Sequence, residues 1–273
     1  MFYKQKQNLH THTCYCDGLD KPEEIISEAI NKGFSSIGFS GHSYMHYSPS
    51  HSISLEGTEE YKKEIKCLKE KYKGKFDVFC GLEVDMYSQV DLSGYDYLIG
   101  SVHYLKMGKE YVGFDRGEKE VEEVIDNYFN GNGMEYAKEY YRQLALLPEY
   151  GDFDIIAHFD IITKHSDNRS FFDETSKEYI NAALSAAHSL AGKIPLFEVN
   201  TGAIARGYRK SPYPSEQIVR ELKRLGFGVV VTSDCHDKRF LDCKRNEAIE
   251  FLKYCGFKEQ YVLTNSGFCA VPL

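Results

Sequence analysis

"SEQIVRELKRLGFGVVVTSDCH" (Ser215–His236) places an amphipathic helical stretch, stopped at Gly226, directly before a β-branched run that ends in an aspartate and a histidine. A helix feeding a buried strand, repeated along a chain, is the signature of a parallel β/α architecture. Side chains alternate along a strand, so Asp234 and His236 are predicted to share one face. The same arithmetic sends Cys235 to the opposite face, which argues against its joining them as a ligand.

The unit recurs on both sides of this stretch. "NLHTHT" reads as a strand and "KPEEIISEAINKG" as a helix, with Pro22 early, acidic residues in the first turn and Gly33 past the end. "SSIGFSGH" is the next strand. "TEEYKKEIKCLKEKYKG" reads as a helix with Thr58 as N-cap and Gly74 as its stop, leading into "FDVFCGLEVD". "YDYLIGSVHYL" reads as a single strand, and the acidic "GEKEVEEVIDN" as a solvated helix face or part of a lid. A helix is expected from Met134 to Leu147, before the buried strand "FDIIAHFD". "ETSKEYINAALSAAHSLAG" then precedes "IPLFEVN". Seven strand candidates alternating with helices, and no low-complexity linker, predict one domain over residues 1–273. A closed or nearly closed β/α barrel is favoured over an open sheet.

A chain of 273 residues can bury a substantial core. Its formal net charge of −8 offers no bulk positive field to hold a long nucleic acid, which favours a small substrate. The 21 Tyr and 17 Phe, with no Trp, supply aromatic surface for lining a pocket. No apolar run is long enough to cross a bilayer, and "MFYKQKQ" lacks the apolar core of a secretory leader, so a cytoplasmic protein is expected. The eight cysteines are then expected to be reduced.

Ionisable residues fall at or just after the C-terminal ends of the strand candidates: His10 and His12, His42, Glu83, His103, His158, and Asp234 with His236. That is the face on which barrel enzymes build their sites. His10 and His12 alternate onto one face and can grip one ion. With Asp17 these make nine candidate ligands, against about three or four for a typical catalytic metal. Two or three metals are implied, with a carboxylate bridging at least one pair. Imidazole and carboxylate together suit zinc, iron or manganese. Glu83 and Asp85 share a face by spacing, and either can be the bridge.

The ordered set "HTHT", "CDG", "GHS", "GLEVD", "GSVH", "AHFD" and "SDCH" resembles the polymerase-and-histidinol-phosphatase (PHP) superfamily, and within it the histidinol-phosphate phosphatase branch. The resemblance covers nearly the whole chain. It implies a distorted (β/α)7 TIM-like barrel with a trinuclear centre of divalent ions at the C-terminal ends of the strands. It further implies that His10, His12, Glu83 and Asp234 hold one ion, Glu83 bridging to a second held by His103 and His158. Asp17, His42 and His236 would hold the third. The activity implied is hydrolysis of the phosphomonoester L-histidinol phosphate, in histidine biosynthesis, by a metal-bound hydroxide with no protein nucleophile.

Charge accounting points to phosphate as well, since three divalent ions outweigh Asp17, Glu83 and Asp234 and leave an excess suited to an anion. In "NTGAIARGYRK", Arg206 is the expected phosphate ligand and Asn200 is expected to orient a hydroxyl or water. Arg169 in "KHSDNRS" is a second cation candidate. His46 and His51 are placed at the pocket mouth, His188 inside a helix, and Cys14 and Cys16 outside the ligand set. Two other functions remain compatible with these residues: a phosphoesterase of the same superfamily acting on nucleotides or short oligonucleotides, and a non-catalytic metal-binding barrel.

Overall fold

The structure, a computed structural model, describes residues 5–273; Met1–Lys4, part of the stretch read for a leader, lie outside the described residues. In chain order its strands are β1 (Gln7–Asn8), β2 (Ser36–Phe39), β3 (Asp77–Asp85), β4 (Tyr97–Ser101), β5 (Tyr104–Met107), β6 (Glu110–Gly113), β7 (Ile155–Ile156), β8 (Leu196–Asn200), β9 (Gly228–Thr232), β10 (Glu259–Thr264) and β11 (Gly267–Pro272). Its helices are α1 (Pro22–Asn31), α2 (Leu55–Tyr72), α3 (Glu118–Phe129), α4 (Gly133–Leu144), α5 (Lys177–Leu190), the short α6 (Gly202–Ala205), α7 (Glu216–Arg224) and α8 (Arg245–Tyr254).

Seven strands form one parallel sheet in the order β1-β2-β3-β4-β7-β8-β9. Beyond β1 and β9 the chain closes the ring: Thr11 pairs in parallel with Cys235, through His12 N to Cys235 O at 2.8 Å and Cys235 N to His10 O at 3.1 Å. The result is the expected (β/α)7 barrel, distorted because β1 and β7 pair over only two residues each.

Leu9, Phe79, Tyr97, Ile99, Ile155, Ala157, Leu196 and Val230 fill the barrel interior. Tyr97 reaches across it to donate to the Leu9 and Phe39 carbonyls. Room for its ring comes from Gly38 and Gly81, where a Cβ would collide with it. The larger apolar cluster lies between the sheet and the surrounding helices.

Two sequence expectations change. The N-cap of α2 is Ser54, whose hydroxyl accepts from Gly57 N at 2.9 Å; Thr58 lies inside the helix and bonds back to Ser54 O. "YDYLIGSVHYL" is two strands, because the chain leaves the barrel after Ser101 and its end turns into the β5–β6 hairpin. Beyond His236 lie α8 and the β10–β11 hairpin. Leu263 joins the interior cluster at the N-terminal end of the barrel, held by Gln7, whose amide bonds both Leu263 N and O at 2.8 Å. Among the described residues, no helix is long and apolar enough to cross a membrane.

Candidate metal centre

The barrel brings all nine candidate ligands to its C-terminal end. Glu83, the fully buried centre of the group, projects from β3 with its two oxygens facing different partners. Oε2 lies 3.3 Å from His10 Nε2, 3.5 Å from His12 Nε2 and 2.8 Å from His42 Nδ1. Oε1 lies 3.1 Å from His158 Nε2 and 3.5 Å from His103 Nε2. Asp85 stays outside this group: it accepts from His103 N at 2.9 Å and from the Tyr47 hydroxyl at 2.5 Å. Of the two carboxylates that spacing left open, Glu83 is therefore the one whose two oxygens face separate groups of candidate ligands.

Asp234 reaches the cluster by a different route from strand alternation. β9 ends at Thr232, and Asp234 sits in the left-handed region at φ 46°, one of the few non-glycine residues there. Aspartate tolerates that conformation better than most side chains. The turn aims Oδ1 at His12 Nε2, 3.1 Å away, and His10 Nε2, 3.5 Å away. Asp17 reaches in from the loop after β1, with Oδ1 3.3 Å from His236 Nε2 and 3.4 Å from His12 Nδ1, and Oδ2 3.7 Å from His42 Nε2. A Cβ on the neighbouring Gly18 would lie 2.5 Å from Thr13 N, so this tight turn requires glycine.

The donor set fits divalent metal ions. His10 Nε2, His12 Nε2, His42 Nδ1, Asp17 Oδ1 and Glu83 Oε2 are buried without a hydrogen-bond partner, although they face one another closely. Buried polar atoms in proteins are almost always bonded, so lone pairs that converge without bonding mark positions for cations. Three sets offer ligand atoms all within 4.8 Å of one another: His12, Asp17, His42 and His236; His10, His12 and Asp234; and His42, Glu83 and His103. His158 Nε2 stands 3.2 Å from His103 Nε2, beside the third set.

Burial alone would push the carboxyls of Asp17, Glu83 and Asp234 up. The histidines around them, and Arg206 beside Asp234, instead hold all three well below the usual range. Burial pulls the His42 ring down, but Glu83 and Asp17 outweigh it and raise the ring to about 9. His12 goes the other way, lowered by burial and by the neighbouring rings of His236 and His42.

A cavity of about 480 Å³ opens onto these ligands. Arg206 lines it, with Nη2 2.9 Å from Asp234 Oδ2 and Nη1 3.1 Å from both Asp234 O and His236 Nδ1. Lys164 and Arg116 add two cations that the sequence reading did not select. Lys164 Nζ bonds Asp115 Oδ1 at 2.8 Å and lies over the Tyr208 ring.

Two expected substrate contacts fall elsewhere. The guanidinium of Arg169 pairs with Glu122 on the outer face of α3 and packs over Phe171. Asn200 is fully buried, donating to Glu198 Oε1 at 2.7 Å and accepting from Gly202 N at 2.8 Å, and it does not line the cavity. His51 lines the cavity and His46 stands edge-on to Tyr47 and Tyr111. His188 joins α5 to α7 through Glu221 at 2.8 Å. Cys14 is exposed; the Cys16 thiol, pushed up to about 12 by burial and by Asp17, sits behind His12 as a neutral group.

A family model for the PHP domain matches residues 8–201, most of the chain. The chain belongs to the PHP family. Among its relatives, this PHP chain is 28% identical to a probable histidinol-phosphatase of Deinococcus radiodurans over 263 residues, covering 90% of this chain and 92% of the relative. It is 25% identical to the histidinol-phosphatase of Bacillus subtilis over 256 residues, covering 85% and 94%. Its fold matches the crystal structure of histidinol phosphate phosphatase from Lactococcus lactis complexed with zinc, L-histidinol and phosphate. That match has a TM-score of 0.74 at 22% identity and covers 97% of this PHP chain and 99% of the other.

Proposed function

We propose that this chain is a metal-dependent phosphomonoesterase that hydrolyses L-histidinol phosphate to L-histidinol and phosphate. The observation that carries the reading is a set of convergent, unbonded imidazole and carboxylate atoms on the floor of a cavity that also holds Arg206, Lys164 and Arg116. The two relatives described above carry histidinol-phosphatase names, which supports this substrate over other phosphomonoesters.

Three divalent ions, of zinc, manganese or iron, are assigned to the nine ligands His10, His12, Asp17, His42, Glu83, His103, His158, Asp234 and His236. Bound there, such ions supply Lewis-acid polarisation of a phosphoryl group and lower the proton affinity of water. The chain's own contribution is positioning. Arg206, its fork fixed by Asp234, offers guanidinium hydrogens to non-bridging phosphate oxygens. Lys164, anchored by Asp115, adds a second positive charge. Tyr104 and Tyr208, with Asp115 and Glu120, present aromatic and acidic surface to an organic half that carries an imidazole and an amine.

Phosphate release should be measured with L-histidinol phosphate, a nucleoside monophosphate and a dinucleotide, before and after chelation and re-metallation. Preferred turnover of L-histidinol phosphate that disappears with the metal is expected. Preferred turnover of either nucleotide overturns the substrate, and metal binding without any phosphate release overturns the activity.

A further inference from the structure

Glu198 was not selected from the sequence, yet it is fully buried in the middle of β8 and meets polar groups of His10, His158, Asn200 and Thr232. Oε2 lies 2.9 Å from His10 Nδ1 and accepts from Thr232 Oγ1 at 2.8 Å. Oε1 accepts from His158 N and from Asn200 Nδ2, both at 2.7 Å. Removing a carboxylate from water is costly unless both its oxygens are bonded, and here they are. Among the described residues no lysine or arginine forms an ion pair with it; its ionisable partner is the His10 ring.

An ionised carboxylate only accepts hydrogen bonds, so the proton shared with His10 belongs on Nδ1. In the neutral ring that leaves the lone pair on Nε2. His10 Nε2 is buried, lacks a hydrogen-bond partner, and stands 3.3 Å from Glu83 Oε2 and 3.5 Å from Asp234 Oδ1. We infer that Glu198 is a positioning residue that fixes the tautomer and orientation of His10, and so readies His10 Nε2 for a divalent ion. The inference rests on the reading that the cluster holds such ions and is independent of the substrate.

Glu198→Gln keeps the shape and exchanges one acceptor for an amide donor. The backbone N–H of His158 cannot reverse, so the carboxamide oxygen stays at the Oε1 position and the NH2 faces Thr232 and His10. The Thr232 hydroxyl can rotate to accept. His10 must then accept at Nδ1 and carry its proton on Nε2, where it blocks a metal. Thr232→Val is the control, since it removes a hydrogen bond to the same oxygen and leaves the His10 contact in place.

The experiment titrates metal-free wild type, E198Q and T232V with zinc against a competing chelator. Ring 15N NMR of His10 in the metal-free proteins is recorded alongside, at a pH high enough to keep the ring neutral. E198Q is expected to bind one zinc ion about 10- to 100-fold more weakly, with the other ions and the circular dichroism spectrum retained. T232V is expected to keep the wild-type affinity. His10 is expected to be protonated on Nδ1 in wild type and on Nε2 in E198Q. Wild-type affinity in E198Q, or an equal loss in T232V, overturns the inference. So does a wild-type His10 protonated on Nε2, which decides the matter even where E198Q does not fold. Wild type that takes up no divalent ion overturns the metal reading itself, and the inference with it.

Discussion

Arg206 and Asp234 form an ion pair at 2.9 Å that joins the cavity wall to the ligand cluster: one carboxylate oxygen holds the guanidinium while the other stands 3.1 Å from His12 Nε2. On the function proposed above, removing the guanidinium deletes a phosphate contact and leaves the carboxylate with its full charge for cations. Arg206→Ala is therefore expected to raise KM and weaken inhibition by inorganic phosphate by about tenfold or more, with metal content retained. Steady-state kinetics and elemental analysis check this; a parallel loss of metal would show that Arg206 holds Asp234 in place instead. Arg206→Lys recovers only part of the loss, because a point charge does not reproduce the fork.

Glu83 faces five histidines, His10, His12 and His42 through Oε2, and His103 and His158 through Oε1. Glu83→Gln halves its capacity to bridge and places an amide donor against rings whose lone pairs point at it. More than one ion is expected to be lost, whereas His103→Ala should affect one. Metal stoichiometry after equal loading and gel filtration distinguishes the two, and equal stoichiometry in both variants would remove Glu83 from the bridging position.

Gly18 sets the turn that carries Asp17. A Cβ there meets Thr13 N at 2.5 Å and His12 C at 2.6 Å, and backbone atoms cannot yield as a flexible side chain would. Gly18→Ala is expected to destabilise the fold by about 1–3 kcal/mol in urea unfolding, the scale of overpacking. It should also displace Asp17 from His42 and His236, lowering occupancy of the ion proposed for those residues. Unchanged stability and metal content would show that the loop relaxes freely.

The barrel was legible because helix periods and β-branched runs are local, and the candidate site because histidines and carboxylates cluster at strand ends. His10, His12, Glu83, His103 and His158 converge as strand alternation and barrel topology require. Asp234 converges for another reason, a left-handed backbone turn that no pattern of residue types announces. Glu198 was missed because an acidic residue in "IPLFEVN" carries no signal until His10, His158 and Thr232 meet it from distant parts of the chain. The closing hairpin was missed for a similar reason: its role depends on Gln7 meeting Leu263 across almost the whole chain. Arg169 and Asn200 were chosen by residue type and loop position, and neither reveals that its polar group is already engaged.

That engagement makes Arg169 a test of the cavity assignment. Its partner Glu122 lies on an exposed helix face, where solvent screens the pair and leaves it little weight in stability. Arg169→Ala is expected to leave kcat and KM within about twofold of wild type, while Lys164→Ala, inside the cavity, raises KM. A large rise in KM for Arg169→Ala would mean that this loop swings over the substrate.

On the metal assignment proposed above, protons compete with metal at His42. In the metal-free protein, burial pulls this ring down, but Glu83 at 2.8 Å and Asp17 at 3.7 Å raise it to about 9, above the ordinary value of about 6.5 for an unfolded chain. The folded state thus holds the proton more tightly. Its contribution to stability is full below about pH 6.5 and is lost as pH rises through about 9. A ring that ligates a metal has given up that proton, so metal uptake at neutral pH releases protons and apparent affinity climbs with pH. Melting of the metal-free protein is expected to shift down between about pH 6.5 and 9, with a shallower dependence when metal is bound. Titration in two buffers of different ionisation enthalpy measures the proton count. No release at pH 7 would place the His42 ring in its neutral form before metal arrives and remove the competition.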